Sequence, residues 1–295
     1  TALFPGWLRL PLLRFFTLAA LGSMVLACSA VADEAAAPDA RACAKIGSWL
    51  DPGTGETLPP GPLMAALAGR SVVLLGEDHE NAEHHRWQAQ MLAALHAHEP
   101  DLIVGFEMFP RRVQPALDRW AAGGLDVETF LKQSEWGKVW GFDPDLYLPL
   151  FHFVRQNRLT MVALNVERAL VARVGREGWA AIPVDERGGL SDPAAASDAY
   201  LNYLARVFVE KQRRRETDEP PEAGAQPNDV DPASVVETDE FKRFAAAQLT
   251  WDRAMAEALA TALQNRPESL VVGVVGQGHA RFGHGVSHQL SDLGV

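Results

Sequence analysis

The sequence predicts an α/β fold: a mostly parallel sheet with helices on both faces. Two observations carry that prediction. Short, nearly pure apolar runs, SVVLL at 71–75, LIVGF at 102–106 and LVVGVV at 270–275, read as strands buried on both sides. Longer segments with apolar residues at helical spacing alternate with them, the pattern of a parallel sheet covered by helices. The chain has 295 residues, 47% of them apolar, enough for a large core.

The N-terminal residues read as a leader. Arg9 and Arg14 precede Phe15–Ala27, an apolar run shorter than the roughly 18 residues a membrane span needs. Its small and branched residues fit a secretory signal. Two cleavage readings follow. Val25-Leu26-Ala27-Cys28 resembles a lipobox, with lipid added at Cys28. Ala30-Val31-Ala32 fits ordinary cleavage, which would leave a soluble product. Both predict export to the periplasmic or surface side of a bacterial membrane, and the lipid-anchored form is favoured. The expected organisation is a leader over 1–32, a tether over 33–45 and an α/β domain over 46–295. Cys43 is then an odd cysteine, read as a small packed residue near the mature N-terminus.

Within the domain, DPGTGETLPPGP at 51–62 is turn chemistry. A strand over 71–75 leads into a helix over 82–98, with Trp87, Met91, Leu92 and Leu95 at helical spacing. A strand over 102–106 is followed by helices over 114–122 and 127–136, the second capped by Asp126. The third strand covers 159–164, and a helix over 167–177 stops at Gly178. A helix over 194–214 carries Leu201, Leu204, Val207 and Phe208 on one side. Residues 216–238, rich in Pro, Asp, Glu and Gly, predict a mobile insertion. An amphipathic helix over 239–264, the fourth strand over 270–275 and a short helix over 286–293 complete the domain.

In parallel sheets, ligands sit beyond the carboxyl ends of the strands. Here all four strands deliver chemistry to that edge: Gly76-Glu77-Asp78-His79, Gly105-Phe106-Glu107, Asn165 with Arg168 beyond it, and Gly276-Gln277-Gly278-His279. The first and fourth share an apolar run followed by Gly-x-x-His, where the Gly is expected to make a tight turn off the strand. Two His with nearby Glu can hold a divalent metal or act as a general acid/base pair. Glu77, His79, Glu107 and His279 are the candidates for acid/base work, and Glu77, His79 and His279 for the metal. Asn165 and Arg168 are placed to bind an anionic group. His84 and His85 open the next helix and border the same edge.

Net charge is −11, and the lone basic run, Lys211–Arg215, has acidic residues close behind it. That balance excludes nucleic acid as the main partner. There is no Gly-x-Ser-x-Gly elbow, no C-x-x-C-H haem attachment motif and no phosphate-binding loop.

Taken together, Gly-Glu-x-His with the following His pair and Gln88, the GFEMF run with Glu107, the Trp136–Trp140 stretch leading to Tyr147, Asn165, the Gln248-Trp251-Asp252-Met255 helix and the closing Gly-x-Gly-His resemble the ChaN-type haem-binding lipoprotein family of the Tiki superfamily. The resemblance covers roughly 45–290. It implies haem as ligand, iron uptake, a lipid anchor and a homodimer around paired haems. It makes Tyr147 and Tyr203 candidate iron ligands, with His84, His85, Asn165 and Arg168 as candidate pocket residues. The wider superfamily, with its Tiki proteases and similarity to erythromycin esterases, implies an alternative: a metal-dependent hydrolase using Glu77, His79, Glu107 and His279. A third reading leaves these residues to stabilise the fold.

Overall fold

The computed structural model describes residues 45, 47–51, 53–217 and 233–295, and of 214–217 and 233 the backbone only. The expected leader, Cys28, Cys43 and nearly all of the tether lie outside the described residues. So does most of the expected insertion, whose described flanks are helical.

The described domain begins with a short antiparallel pair of two-residue strands, β1 (Trp49–Leu50) against β2 (Thr57–Leu58). Asp51 Oδ1 closes its turn by accepting the N–H groups of Gly53 and Thr54. Helix α1 (Pro60–Ala68) follows, with proline where a helix start tolerates it. Then come β3 (Val72–Glu77), α2 (Ala82–His98) and β4 (Leu102–Pro110). Asn81 caps α2 by accepting the N–H groups of Glu83 and His84. Helices α3 (Gln114–Ala121), α4 (Val127–Gln133), α5 (Trp136–Val139) and α6 (Leu148–Gln156) lead to β5 (Thr160–Asn165). Asp126 caps α4 as expected, accepting the Thr129 N–H at 2.7 Å. Helix α7 (Arg168–Glu177) ends at Gly178, whose φ of 85° favours glycine. The remainder is α8 (Asp198–Thr217), α9 (Ala233–Val236), α10 (Asp239–Asn265), β6 (Leu270–Gly276), α11 (Gln277–Ala280) and α12 (Val286–Asp292).

The main sheet has four parallel strands in the order β3-β6-β4-β5. The two Gly-x-x-His strands are therefore neighbours, with Glu77 opposite Gly276. Every residue of the inner strand β4 is buried. Alternate residues serve opposite faces. Val73, Leu75, Val104, Phe106, Val272 and Val274 pack with Leu92 and Leu95 of α2 and with the aromatic cluster from α3 to α6. On the other face, Ile103, Val271 and Val275 pack with Met255 and Leu259 of α10 and with Val286 and Leu290 of α12. Gly105 and Gly273 face each other across β4 and β6. A Cβ at Gly273 would stand 2.8 Å from Leu74 and 3.4 Å from Leu259, so bare backbone lets α10 lie close.

Four features differ from expectation. The strands run further: Glu77 and Glu107 sit inside β3 and β4, not after them. The expected helix over 127–136 is two helices, broken where Glu135 takes a left-handed φ of 54°. Helices α1 and α6 form where only turn chemistry and an aromatic run were read. Finally, Gly76 and Gly276 end no strand by a glycine turn: both lie within strands, and Gly276 has φ −59°.

Candidate functional site

Two hydrogen-bonded clusters form at the carboxyl edge of the sheet. The first is built on buried Glu77 at the end of β3. Its Oε1 lies 2.7 Å from His79 Nδ1, its Oε2 3.1 Å from His85 Nε2, and the Tyr147 hydroxyl donates to it from 3.3 Å. The chain turns after Asp78, which folds His79 back beside Glu77. His84 holds that turn, its Nδ1 accepting the Asp78 N–H at 3.0 Å. His85 Nε2 also lies 3.2 Å from the His79 carbonyl.

The second cluster is built on Glu107. The pairing of β4 with β5 shifts register between Phe106 and Pro110, an irregularity of the kind that re-aims side chains. Glu107 Oε2 accepts the Gly276 N–H at 2.5 Å, and Oε1 lies 3.7 Å from His279 Nε2. Asp252 of α10 holds the other ring nitrogen of His279 at 2.6 Å, and Tyr200 of α8 donates to Asp252 at 2.7 Å. Asn165 ends β5, donating to the Glu107 carbonyl at 3.3 Å and accepting the Val166 N–H at 2.9 Å.

The clusters meet over Gly276. A Cβ there would stand 3.0 Å from the His79 ring and 3.4 Å from the Glu107 carboxylate. Glycine is needed for space, not for an unusual backbone angle. At Gly76 the reason is the same: a Cβ would stand 3.3 Å from the Gln277 Cα.

Burial opposes charging either His, but the carboxylates outweigh it. The Glu77 hydrogen bond and the Glu107 charge raise His79 above its ordinary value. Glu107 and Asp252 raise His279 to about 9. Burial, then the Glu77 charge, pushes the Tyr147 phenol far above its ordinary range, and burial with Asp252 does the same to Tyr200.

A cleft of about 520 Å³ opens on these clusters and is lined by His79, Glu107, His279, Asn165 and Arg168. Its aromatic walls are Trp140, Phe142 and Trp251. The Trp140 and Phe142 rings lie 4.7 and 5.2 Å from the His79 ring, and Trp251 lies 6.2 Å from the His279 ring. His79 is the more open imidazole, its side chain 32% exposed against 12% for His279. Arg112, Lys138 and Lys211 also line the cleft. Arg112 pairs with Glu135 and Glu167, and Lys138 with Glu135. Arg168 is exposed and makes no ion pair among the described residues.

The other sequence-predicted residues sit off the cleft wall. Tyr147 is buried behind Glu77, His85 is buried beside it, and His84 is tied to its turn. Tyr203 stacks on Tyr200 with ring centres 6.3 Å apart. Among the described residues, no group of three or more His, Cys, Asp or Glu is arranged to hold a metal ion. Of the expected set Glu77, His79 and His279, Glu77 is engaged by His79, His85 and Tyr147, and His279 by Asp252 and Glu107. Sequence reasoning gave no site role to Tyr200, Trp140, Arg112 or Lys138. Asp252 entered there only as part of the helix motif that carries the family resemblance, without a site role.

Fold and site together define an α/β protein with a ligand cleft at the carboxyl edge of a parallel sheet. The profile of the haem-binding uptake family ChaN, of the Tiki superfamily, matches residues 63–290, and the chain belongs to that family. Its fold is similar to that of ChaN of Campylobacter jejuni, solved in a study of cofacial haem binding, with a TM-score of 0.60, 16% identity and coverage of 83% of this chain and 85% of that one. Weaker likenesses are to RRSP, a MARTX toxin effector domain of Vibrio vulnificus (TM-score 0.41, 18% identity, 79% of this chain and 34% of that one). Another is to a mutant of the erythromycin esterase EreC in its open conformation (TM-score 0.42, 13% identity, 78% and 69%). Comparison with curated proteins gave no match.

Proposed function

We propose that this chain binds haem in the cleft beside His79, as an exported, lipid-anchored protein of haem and iron uptake. The observation that carries the proposal is the make-up of the cleft: aromatic walls and, among the described residues, an imidazole with one ring nitrogen unengaged and a cation, Arg168, without an ion-pair partner. Haem is a flat apolar ring with carboxylates at one edge, and its iron takes axial nitrogen or oxygen donors. His79 is assigned as the donor. Its Nδ1 rests on Glu77, an arrangement that fixes the tautomer and presents Nε2. Tyr147 is a poorer donor, since it is fully buried behind Glu77 and its hydroxyl already donates to that carboxylate. Trp140 and Phe142 would pack on the ring, and Arg168 would pair with a carboxylate.

The signal-like run before Cys28 supports export and anchoring. A homodimer is the assembly the family resemblance implies. The test is a hemin titration of the purified mature protein. A saturable shift of the Soret band is expected, and no shift would end this reading.

One observation favours a second reading. His279 is oriented by Asp252 and faces Glu107, which is the geometry of a general acid/base with an orienting carboxylate. Under that reading Glu77, His79, Glu107 and His279 serve hydrolysis. A screen of esters and peptides supports it if turnover is found and is lost in His279→Gln. Absence of turnover removes it.

A further inference from the structure

A second cavity of about 380 Å³ runs between α7, α8 and α10, next to the cleft. Val171, Ala172, Phe208, Phe244 and Ala247 make it apolar. Arg168, Lys211, Gln248 and Trp251 line both cavities and so mark where they join. Lys211 lies over the Phe244 ring, 5.2 Å from its centre. Charge is thus confined to the junction, and beyond it the lining is apolar except for Gln212. We propose that this groove binds a single-chain alkyl carboxylate, with the chain along Val171, Phe208 and Phe244 and the carboxylate at Arg168.

The occupant follows from charge complementarity. In a chain of net charge −11, Arg168 lies without an ion pair among the described residues, at the charged end of a mostly apolar groove. A neutral chain would leave that cation unmatched, and a cationic one would be repelled. The volume lies in the range of small-ligand sites, about 300–1,000 Å³. A guanidinium prefers a carboxylate, which it can meet with two hydrogen bonds. Because Arg168 serves both cavities, an alkyl carboxylate and haem would compete for it; only this last point rests on the haem reading.

The test is calorimetric titration of the full mature protein, free of haem, with dodecanoate below its micelle concentration. Dodecanol, dodecyltrimethylammonium and phosphatidylglycerol vesicles are run in parallel. Saturable binding of dodecanoate is expected, at least about tenfold weaker in Arg168→Gln, the scale of one lost charge-assisted hydrogen bond. Ala172→Trp fills the groove from an exposed helix position outside the cleft, so it should abolish dodecanoate binding and leave hemin binding intact. Equal affinity for dodecanol, preference for the vesicles, or unchanged binding in Ala172→Trp would each overturn the proposal. Loss of hemin binding with dodecanoate binding retained would refute the haem reading alone.

Discussion

At Gly276 an added methyl group would press on the His79 ring from 3.0 Å, tighter than ordinary contact, while that ring also holds Glu77. Gly276→Ala should therefore displace the imidazole, at about 1–3 kcal/mol of overpacking, with the sheet retained. Circular dichroism should be near wild type and hemin affinity should fall; unchanged affinity would remove His79 from the ligand role. His279 makes a different prediction. Its value is raised in the folded protein, from the usual 6.5 to about 9, so its contribution to stability is complete below about pH 6.5 and is lost as pH rises through 9. His79 shifts in the same direction. Denaturant midpoints should decline from pH 6.5 to 9, and the decline should be shallower in His279→Gln. An equal slope in both proteins would show that His279 is not held as an imidazolium.

Among the elements, α10 carries the most. It covers one face of the sheet through Met255 and Leu259 and supplies Asp252 to His279. Leu259 is fully buried and close to where a Gly273 side chain would stand, so Leu259→Ala should cost about 2–5 kcal/mol in urea unfolding. A cost below about 1 kcal/mol would mean that the helix does not seal the sheet. The helix itself was legible: its apolar spacing predicted 239–264, and it spans Asp239–Asn265. The helix over 82–98 was legible to the residue, because Asn81 is a strong cap and the apolar face is regular. Helix α6 was not, since nearly every residue of LPLFHF is large and apolar or aromatic, which blurs any period. The break at Glu135 was hidden because a left-handed glutamate has no sequence signature.

For the molecule as a whole, the sequence located each strand but neither where it ends nor which strands adjoin. That β6 inserts between β3 and β4, setting Gly276 beneath His79, is a tertiary fact. So is the burial of Tyr147, which sequence cannot separate from exposure within an aromatic run. The edge as a locus of chemistry was legible, since parallel strands must deliver their C-terminal residues to one side. The proposed export is tested at this scale too. Intact mass of membrane-extracted protein should show a diacylglyceryl-sized addition on a chain beginning at Cys28, and Cys28→Ala should move the protein to the soluble fraction. A chain beginning at Asp33 without lipid would contradict the anchor.

The most direct test of the central claim is a hemin titration of wild type, His79→Ala and Tyr147→Phe side by side, followed at the Soret band. Wild type and Tyr147→Phe should saturate with similar affinity and spectra, while His79→Ala should bind at least about tenfold more weakly, about 1.4 kcal/mol or more, with a changed spectrum. If His79→Ala matches wild type while Tyr147→Phe loses the band, the site is built around the phenol and the assignment of His79 is wrong.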